Sequence, residues 1–250
     1  MMHPDTLRLI ADRAVNEAIK KHALAAFPQE SCGVITPDGY HPLDNVAAEP
    51  ERSFDCDRQM MPLQMDGRVL AIVHSHPNGP EGPSAHDQNQ QRAFGVPWGL
   101  LMCNNEVAST PFFWGDALEP PPLEGRPFRH GPSGTDGKGD CGALVRDWYR
   151  INRRVIIKDY ARDDKWWNHG EHLYLNNYED AGFVTADMNT PEVGDLILLS
   201  VGNKVPTANH AAIYIGGGLM IHHLERRLSR VDPFLGWRRC VRAWLRHAHS

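Results

Sequence analysis

Three consecutive prolines, Pro120 to Pro122 in GDALEPPPLE, constrain this chain more than any other feature. Each ring fixes φ and removes a backbone donor, so the run stiffens toward an extended polyproline conformation that neither a helix nor a central strand accepts. A chain of 250 residues can bury one large core or two ordinary ones, and the proline run decides for two. The expected division is a first domain over 1–115, a proline-rich linker over 116–126 and a second domain over 127–250. Each flank then keeps one complete set of chemistry-bearing residues.

In the first flank, the β-branched run VLAIV from Val69 to Val73 predicts a buried strand that carries His74 and His76 on one face at its end. The turn-rich segment Pro77 to Pro83 follows, and then Ser84 and Asp87 at the start of a helix. Two imidazoles and a carboxylate supply the three protein ligands of a catalytic zinc, which keeps its fourth position for a water. Ser84 and Asp87 also have the form of a capping box. Capping accounts for those two residues but not for a His-x-His at a strand end, and His86 reads as a solvent-facing bystander. Upstream, Glu30 in PQESCGVI offers a base.

Glu30 in ESCG, His74-x-His76-Pro77 and Ser84-x-x-Asp87 together resemble the JAMM metalloproteases, zinc-dependent isopeptidases, over roughly the first 115 residues. The resemblance implies Zn2+ held by His74, His76 and Asp87. It also implies Glu30 as the base and Ser84 as a donor to the developing oxyanion.

In the second flank, GKGDCGALVRDWY predicts an amphipathic helix that begins at Cys141 and buries Leu144, Val145, Trp148 and Tyr149. A thiol at a helix N-terminus is expected to have a lowered pKa. Downstream, PEVGDLILLSV and NHAAIYIGGG predict two antiparallel strands, the second opening with His210, and LMIHHLE predicts a return strand. There His222 and His223 fall on opposite faces, so only one can share a site with His210. This order resembles the NlpC-type cysteine peptidases, a papain-like family. The resemblance implies Cys141 as nucleophile, His210 as base and His222 as orienter. Two departures stand out: the usual DCSGL is DCGAL here, and an upstream position commonly tyrosine falls on Phe128, which removes a phenol.

The fold class expected is therefore α+β, a JAMM-like domain followed by a papain-like NlpC-type domain. A first helix is expected from a Thr6 cap to about Ala26, with Leu7, Ile10, Ala14, Ala18 and Leu24 inward and Pro28 ending it. Short strands are expected at Gly33–Thr36, Val69–His74, Trp98–Cys103 and Pro111–Trp114, and a Trp-rich helical stretch from Lys165 to Ala181.

Composition excludes several classes. Up to Gly115, 8 basic against 14 acidic residues give −6, and 18 against 17 beyond give +1, with no basic stripe interleaved with aromatics in the first half. Nucleic acid is therefore not an expected partner. The basic end, GWRRCVRAWLRHAH, reads as a final strand with arginines facing solvent. Five cysteines without tight spacing argue for a reducing compartment, with Cys32, Cys56, Cys103 and Cys240 as packing residues. Charges interrupt every apolar stretch of MMHPDTLRLIADRAV, so neither a signal peptide nor a membrane span is expected.

Both constellations suit amide hydrolysis. Their pairing in one chain resembles tail-tip components of lambda-like bacteriophages. That resemblance implies synthesis in the host cytoplasm, placement in the virion tail tip among other tail proteins, and action on peptide stems of bacterial peptidoglycan in the periplasm or cell wall. A second expectation keeps the folds without the chemistry: a tail assembly module whose clefts only bind partners. A third is a cellular enzyme that processes ubiquitin-like or carrier proteins.

Overall fold

The computed structural model describes residues 3–202 and 207–248. Two compact units are present: Met1–Pro83 with Asn89–Glu119 and Gly134–Asp136, and Ser84–Gln88 with Pro120–Ser133 and Gly137–Ser250.

The first unit opens with two helices where the periodicity predicts one, α1 (Asp5–Ile10) and α2 (Arg13–Ala26). Asp12 causes the break, because its carboxylate accepts the backbone N–H groups of Ala14 at 2.8 Å and Val15 at 3.0 Å and so caps a new helix. Thr6 is buried and caps nothing. The restart resets the helical phase, so the inward residues are Leu9, Ile10, Val15, Ile19 and Ala23. Of the five expected, only Ile10 is buried; Leu7, Ala14, Ala18 and Leu24 are exposed.

Strands β1 (Cys32–Thr36), β2 (Gly39–Leu43), β3 (Ala71–Pro77), β4 (Trp98–Cys103) and β5 (Phe112–Trp114) form one sheet in the order β2-β1-β3-β4-β5. Only β3 and β4 run parallel. A parallel pair needs a crossover, and helix α4 (Ala85–Phe94) lies within it. Helix α3 (Asp57–Met65), which apolar spacing alone did not signal, carries Pro62 in its interior. Alternation along β3 sends Ala71 and Val73 into the core shared with α1 and α2, and Ile72 into a second core with Val34, Met60, Trp98 and Trp114. His74 and His76 follow Ile72 at that same parity.

The second unit has the expected helix α5 (Cys141–Arg153), with Leu144, Val145, Trp148 and Tyr149 all buried. The tryptophan-rich stretch makes only a 3₁₀ turn, Trp166–His169, and a short helix α6 (Leu173–Asn177). Six strands follow: β6 (Phe183–Thr185), β7 (Leu196–Leu199), β8 (His210–Gly216), β9 (Leu219–His222), β10 (Arg230–Pro233) and β11 (Val241–His247). They pair antiparallel in the order β10-β9-β8-β7-β11-β6. The segment around the prolines is tied down within this unit: the carbonyls of Pro121 and Pro122 accept from the Arg126 guanidinium at 2.8 and 3.2 Å, and Arg126 pairs with buried Asp147 at 2.7 Å.

Asp195, immediately before β7 in the stretch PEVGDL, clamps the sheet. Its carboxylate accepts from the Trp244 indole at 2.7 Å, from Arg246 at 2.8 and 2.9 Å and from the Glu192 backbone N–H at 2.8 Å. On the last strand Arg242 is exposed as expected, whereas Arg246 is turned to this carboxylate. Removing the acceptor strands a buried indole donor and a partly buried guanidinium. Asp195→Ala is therefore expected to destabilise the second unit by about 2–4 kcal/mol, read from urea unfolding of the full chain. A loss below about 0.5 kcal/mol, the level of an ordinary surface change, contradicts the clamp.

Candidate active sites

The first constellation is built on the central strand of its sheet. His74 pairs across to Cys32 on one side and Leu100 on the other, so its backbone has no freedom to shift register. Its ring stacks on Phe54 at 4.8 Å and meets Trp98 and Trp114 edge-on at 5.8 and 6.3 Å, which fixes the imidazole plane. The Nδ1 of His76 lies 3.1 Å from the Pro80 carbonyl. A carbonyl only accepts, so Nδ1 carries the proton and Nε2 keeps the lone pair, the arrangement a ligating imidazole needs.

Asp87 stands in the first turn of α4, and the capping box does form: the backbone and hydroxyl of Ser84 donate to Asp87 Oδ2 at 2.8 and 2.7 Å, and Asp87 N–H donates back to Ser84 Oγ at 3.1 Å. Capping and clustering turn out to be compatible. One ligand atom from each of His74, His76 and Asp87 lies within 4.8 Å of the others, and all three residues are buried. Two imidazoles and a carboxylate, close-set and buried, are a donor set that fits a divalent ion such as zinc. Glu30 is buried just before β1. Its neighbour Ser31 is tied to Ser75, the residue between the two histidines, by a backbone N–H to hydroxyl bond of 2.8 Å. His86 is exposed.

The second constellation begins at Asp140, which caps α5 by accepting the Ala143 N–H at 2.9 Å. Its carboxylate also accepts from Gly131 N–H at 2.9 Å and from the Arg162 guanidinium at 2.7 and 2.8 Å. Burial works against the charge, but Arg162 holds the Asp140 carboxyl well below the usual carboxylate range. Cys141, next in the chain, is buried, with its sulfur 3.4 Å from the Tyr174 hydroxyl. The expected lowering of its pKa is not met. Desolvation and then the adjacent Asp140 charge push the thiol up to about 11, and donation from Tyr174 and from the Ala211 backbone N–H offsets only part of this. A helix N-terminus contributes partial charges, and here a full negative charge beside the sulfur and loss of water exceed them.

His210 opens β8, and burial, followed by His222 and His223, drives its imidazole down to about 3. The resting pair is thus a neutral thiol and a neutral imidazole. His210 Nε2 lies 3.0 Å from His222 Nδ1, and His222 Nε2 lies 3.1 Å from Asp232 Oδ2. His223 instead bonds the Arg227 carbonyl at 3.2 Å and meets Phe128 edge-on. Cys141, His210, Tyr174, Phe128, Trp166 and Trp167 line one cleft of about 790 Å³.

Two residues of this site were not legible in sequence. The phenol that Phe128 lacks is present near the sulfur from Tyr174, in a stretch whose tryptophans signal no role for it. Asp232 was detectable only as an acid at matching parity on a strand, β10, that no apolar run announced.

Residues 125–237 match the NlpC/P60 family, and residues 12–114 match prokaryotic homologs of the JAB domain. Tail tip assembly protein K of Escherichia phage lambda is 34% identical, with 74% of this chain and 84% of that protein covered. Its counterpart from Escherichia phage N15 is 32% identical, with 88% of each covered. A desampylase of Haloferax volcanii is 29% identical over 45% of this chain and 91% of its own length. The chain is thus an α+β protein with a JAB-like N-terminal domain and an NlpC/P60 C-terminal domain, both of peptidase families.

The raised thiol makes a direct expectation. Alkylation follows the thiolate, so the rate at Cys141 with iodoacetamide, resolved by peptide mass mapping, rises about tenfold per pH unit from 7 to 10. Tyr174→Phe slows it at each pH. A plateau already reached below pH 9 contradicts the buried, acid-flanked thiol.

Proposed function

The chain belongs to the family of tail tip assembly protein K, and from that premise we propose that it is a phage tail tip component with two hydrolytic centres. The cysteine centre cuts peptide stems of bacterial peptidoglycan during genome entry or tail assembly, and the other is a zinc-dependent peptidase or isopeptidase. The observation that carries the reading is the second cleft, where Cys141 at a helix start and His210, hydrogen-bonded to His222, line one cavity.

In that cleft His210 takes the thiol proton of Cys141 as the sulfur attacks the amide carbon, and the carbonyl electrons pass to oxygen. The Cys141 backbone N–H, at the helix start, donates to that oxyanion. The carbon–nitrogen bond then breaks, and the His210 proton goes to the leaving amine. Water, deprotonated by His210, splits the thioester and returns the thiol. Because burial favours the neutral forms of both thiol and imidazole, proton transfer is tied to arrival of the substrate, which stabilises the charges that form. His222 holds the imidazole in its working orientation.

In the JAB-like domain His74, His76 and Asp87 would hold the metal. Zinc, when bound, supplies Lewis acidity and brings the pKa of a coordinated water to about 7. Glu30 would take a proton from the attacking water, and Ser84, whose hydroxyl is bonded to Asp87 in the resting arrangement, would donate to the carbonyl oxygen. Elemental analysis of the purified full chain is expected to give about one zinc per chain, falling below about 0.1 in a His74→Ala, His76→Ala double variant. Retention of the metal by that variant removes these ligands from the proposal.

The competing reading is an assembly module that binds partners without cutting. Complementation of a phage lacking this gene separates the two: Cys141→Ala and Glu30→Gln are expected to lower plaque formation at least about a hundredfold, because removing a nucleophile or base costs orders of magnitude in rate. A module without chemistry tolerates both. Purified muropeptides and tail proteins, incubated with each variant and read by mass spectrometry, then assign the substrate of each centre.

A further inference from the structure

Three side chains cross the second sheet on a diagonal. Ala212 on β8 stands opposite His222 on β9, and Arg230 on β10 stands opposite His222 from the other side. His210 is two residues before Ala212 and Asp232 two after Arg230, so parity places His210, His222 and Asp232 on one face at diagonal spacing. The contacts follow: His210 Nε2 to His222 Nδ1 at 3.0 Å, and His222 Nε2 to Asp232 Oδ2 at 3.1 Å. Arg230 donates to the same Oδ2 from Nε at 3.2 Å and Nη2 at 2.8 Å. Trp237 packs edge-on against the His222 ring at 4.9 Å.

Proton positions along this line are determined by the last group. Asp232, salt-bridged to Arg230, is a carboxylate and only accepts, so His222 Nε2 must carry a proton. Burial, opposed by Asp232, lowers the pKa of His222 and keeps it neutral near pH 7. A neutral imidazole has one N–H, so His222 Nδ1 is a lone pair and must accept from His210 Nε2–H. His210, neutral as well, is left with its lone pair on Nδ1, the nitrogen not engaged by His222.

We propose that Asp232 is a positioning residue that fixes the tautomers of His222 and, through it, of His210, so that His210 always presents an unprotonated Nδ1 to the thiol proton. This rests on the peptidase reading of the Cys141 cleft. The carboxylate touches neither thiol nor substrate and acts only through two rings. Without it, His222 can carry its proton on either nitrogen. The form with Nδ1–H sets two donors face to face and turns His210 to the tautomer that cannot act as base.

Long-range ¹H–¹⁵N correlation spectra of the ¹⁵N-labelled full chain near pH 7.5 read the tautomers directly. His210 and His222 are both expected as Nε2–H, and in Asp232→Ala the His222 signals are expected to move toward the average of two tautomers. In the same variant kcat for muropeptide cleavage is expected to fall about tenfold with KM nearly unchanged. The fall is smaller than the loss of about 10⁴ seen when a triad's own orienting carboxylate becomes an amide, because Asp232 stands one ring further out. Asp232→Asn is expected to restore both readouts, since Arg230, a pure donor, selects the amide oxygen for the position Oδ2 holds. A wild-type His222 protonated on Nδ1 overturns the proposal, as does an Asp232→Asn variant as impaired as Asp232→Ala. The tautomers need no catalysis to be seen: if they are as stated and muropeptides stay intact, the peptidase reading fails and the relay stands. Cleavage with the opposite tautomers overturns the relay and leaves the peptidase reading in place.

Discussion

The carboxylate of Asp140 organises the second domain. It is buried, yet four donors surround it: the backbone N–H groups of Ala143 and Gly131, and Nε and Nη2 of the Arg162 guanidinium. A buried charge so thoroughly satisfied is stable where a half-satisfied one would not be, and it pins a helix start, an upstream loop and a distant arginine to one point. Cys141 inherits its position from this knot. It also inherits an electrostatic handicap, because the charge that caps the helix stands beside the sulfur and disfavours its ionised form. Helix capping and ionisation of the thiol thus pull in opposite directions at adjacent residues, and the thiol stays protonated near neutral pH.

The region that matches the JAB domain, residues 12–114, shows the same economy at Asp87. One oxygen of that side chain completes a capping box with Ser84, and the residue also stands within 4.8 Å of two histidine nitrogens. The aromatic wall of Phe54, Trp98 and Trp114 that fixes His74 belongs to a hydrophobic core, so the position of this imidazole is set by packing.

How much of this was readable beforehand depended on the range of the forces involved. Alternation gave His74 and His76 one face, helical spacing gave α5 its buried side, and parity separated His222 from His223, because each rule needs only neighbours in sequence. The N-terminal helix went wrong for an equally local reason: a single aspartate able to cap at Asp12 outweighed a run of helix formers, and the phase beyond it shifted. What stayed hidden were groups brought in from far along the chain. Tyr174 reaches Cys141 across 33 positions, Arg162 reaches Asp140 across 22, and β10 is too polar to announce itself as a strand. The thiol was misjudged because local reasoning sees the helix dipole but not the loss of water.

The hairpin between β8 and β9 carries a consequence of its own. Gly216, Gly217 and Gly218 all adopt positive φ, and this turn sets which residue of one strand faces which of the other. Since side chains alternate, a deletion of one residue there would turn His222 outward and bring His223 into its place, exchanging a ring anchored on a carboxylate for one anchored on a backbone carbonyl. A change of one residue in this turn would therefore exchange the two rings unless the bulge between Tyr214 and Gly216 absorbs it, and with the exchange the carboxylate that anchors the inner ring would be lost.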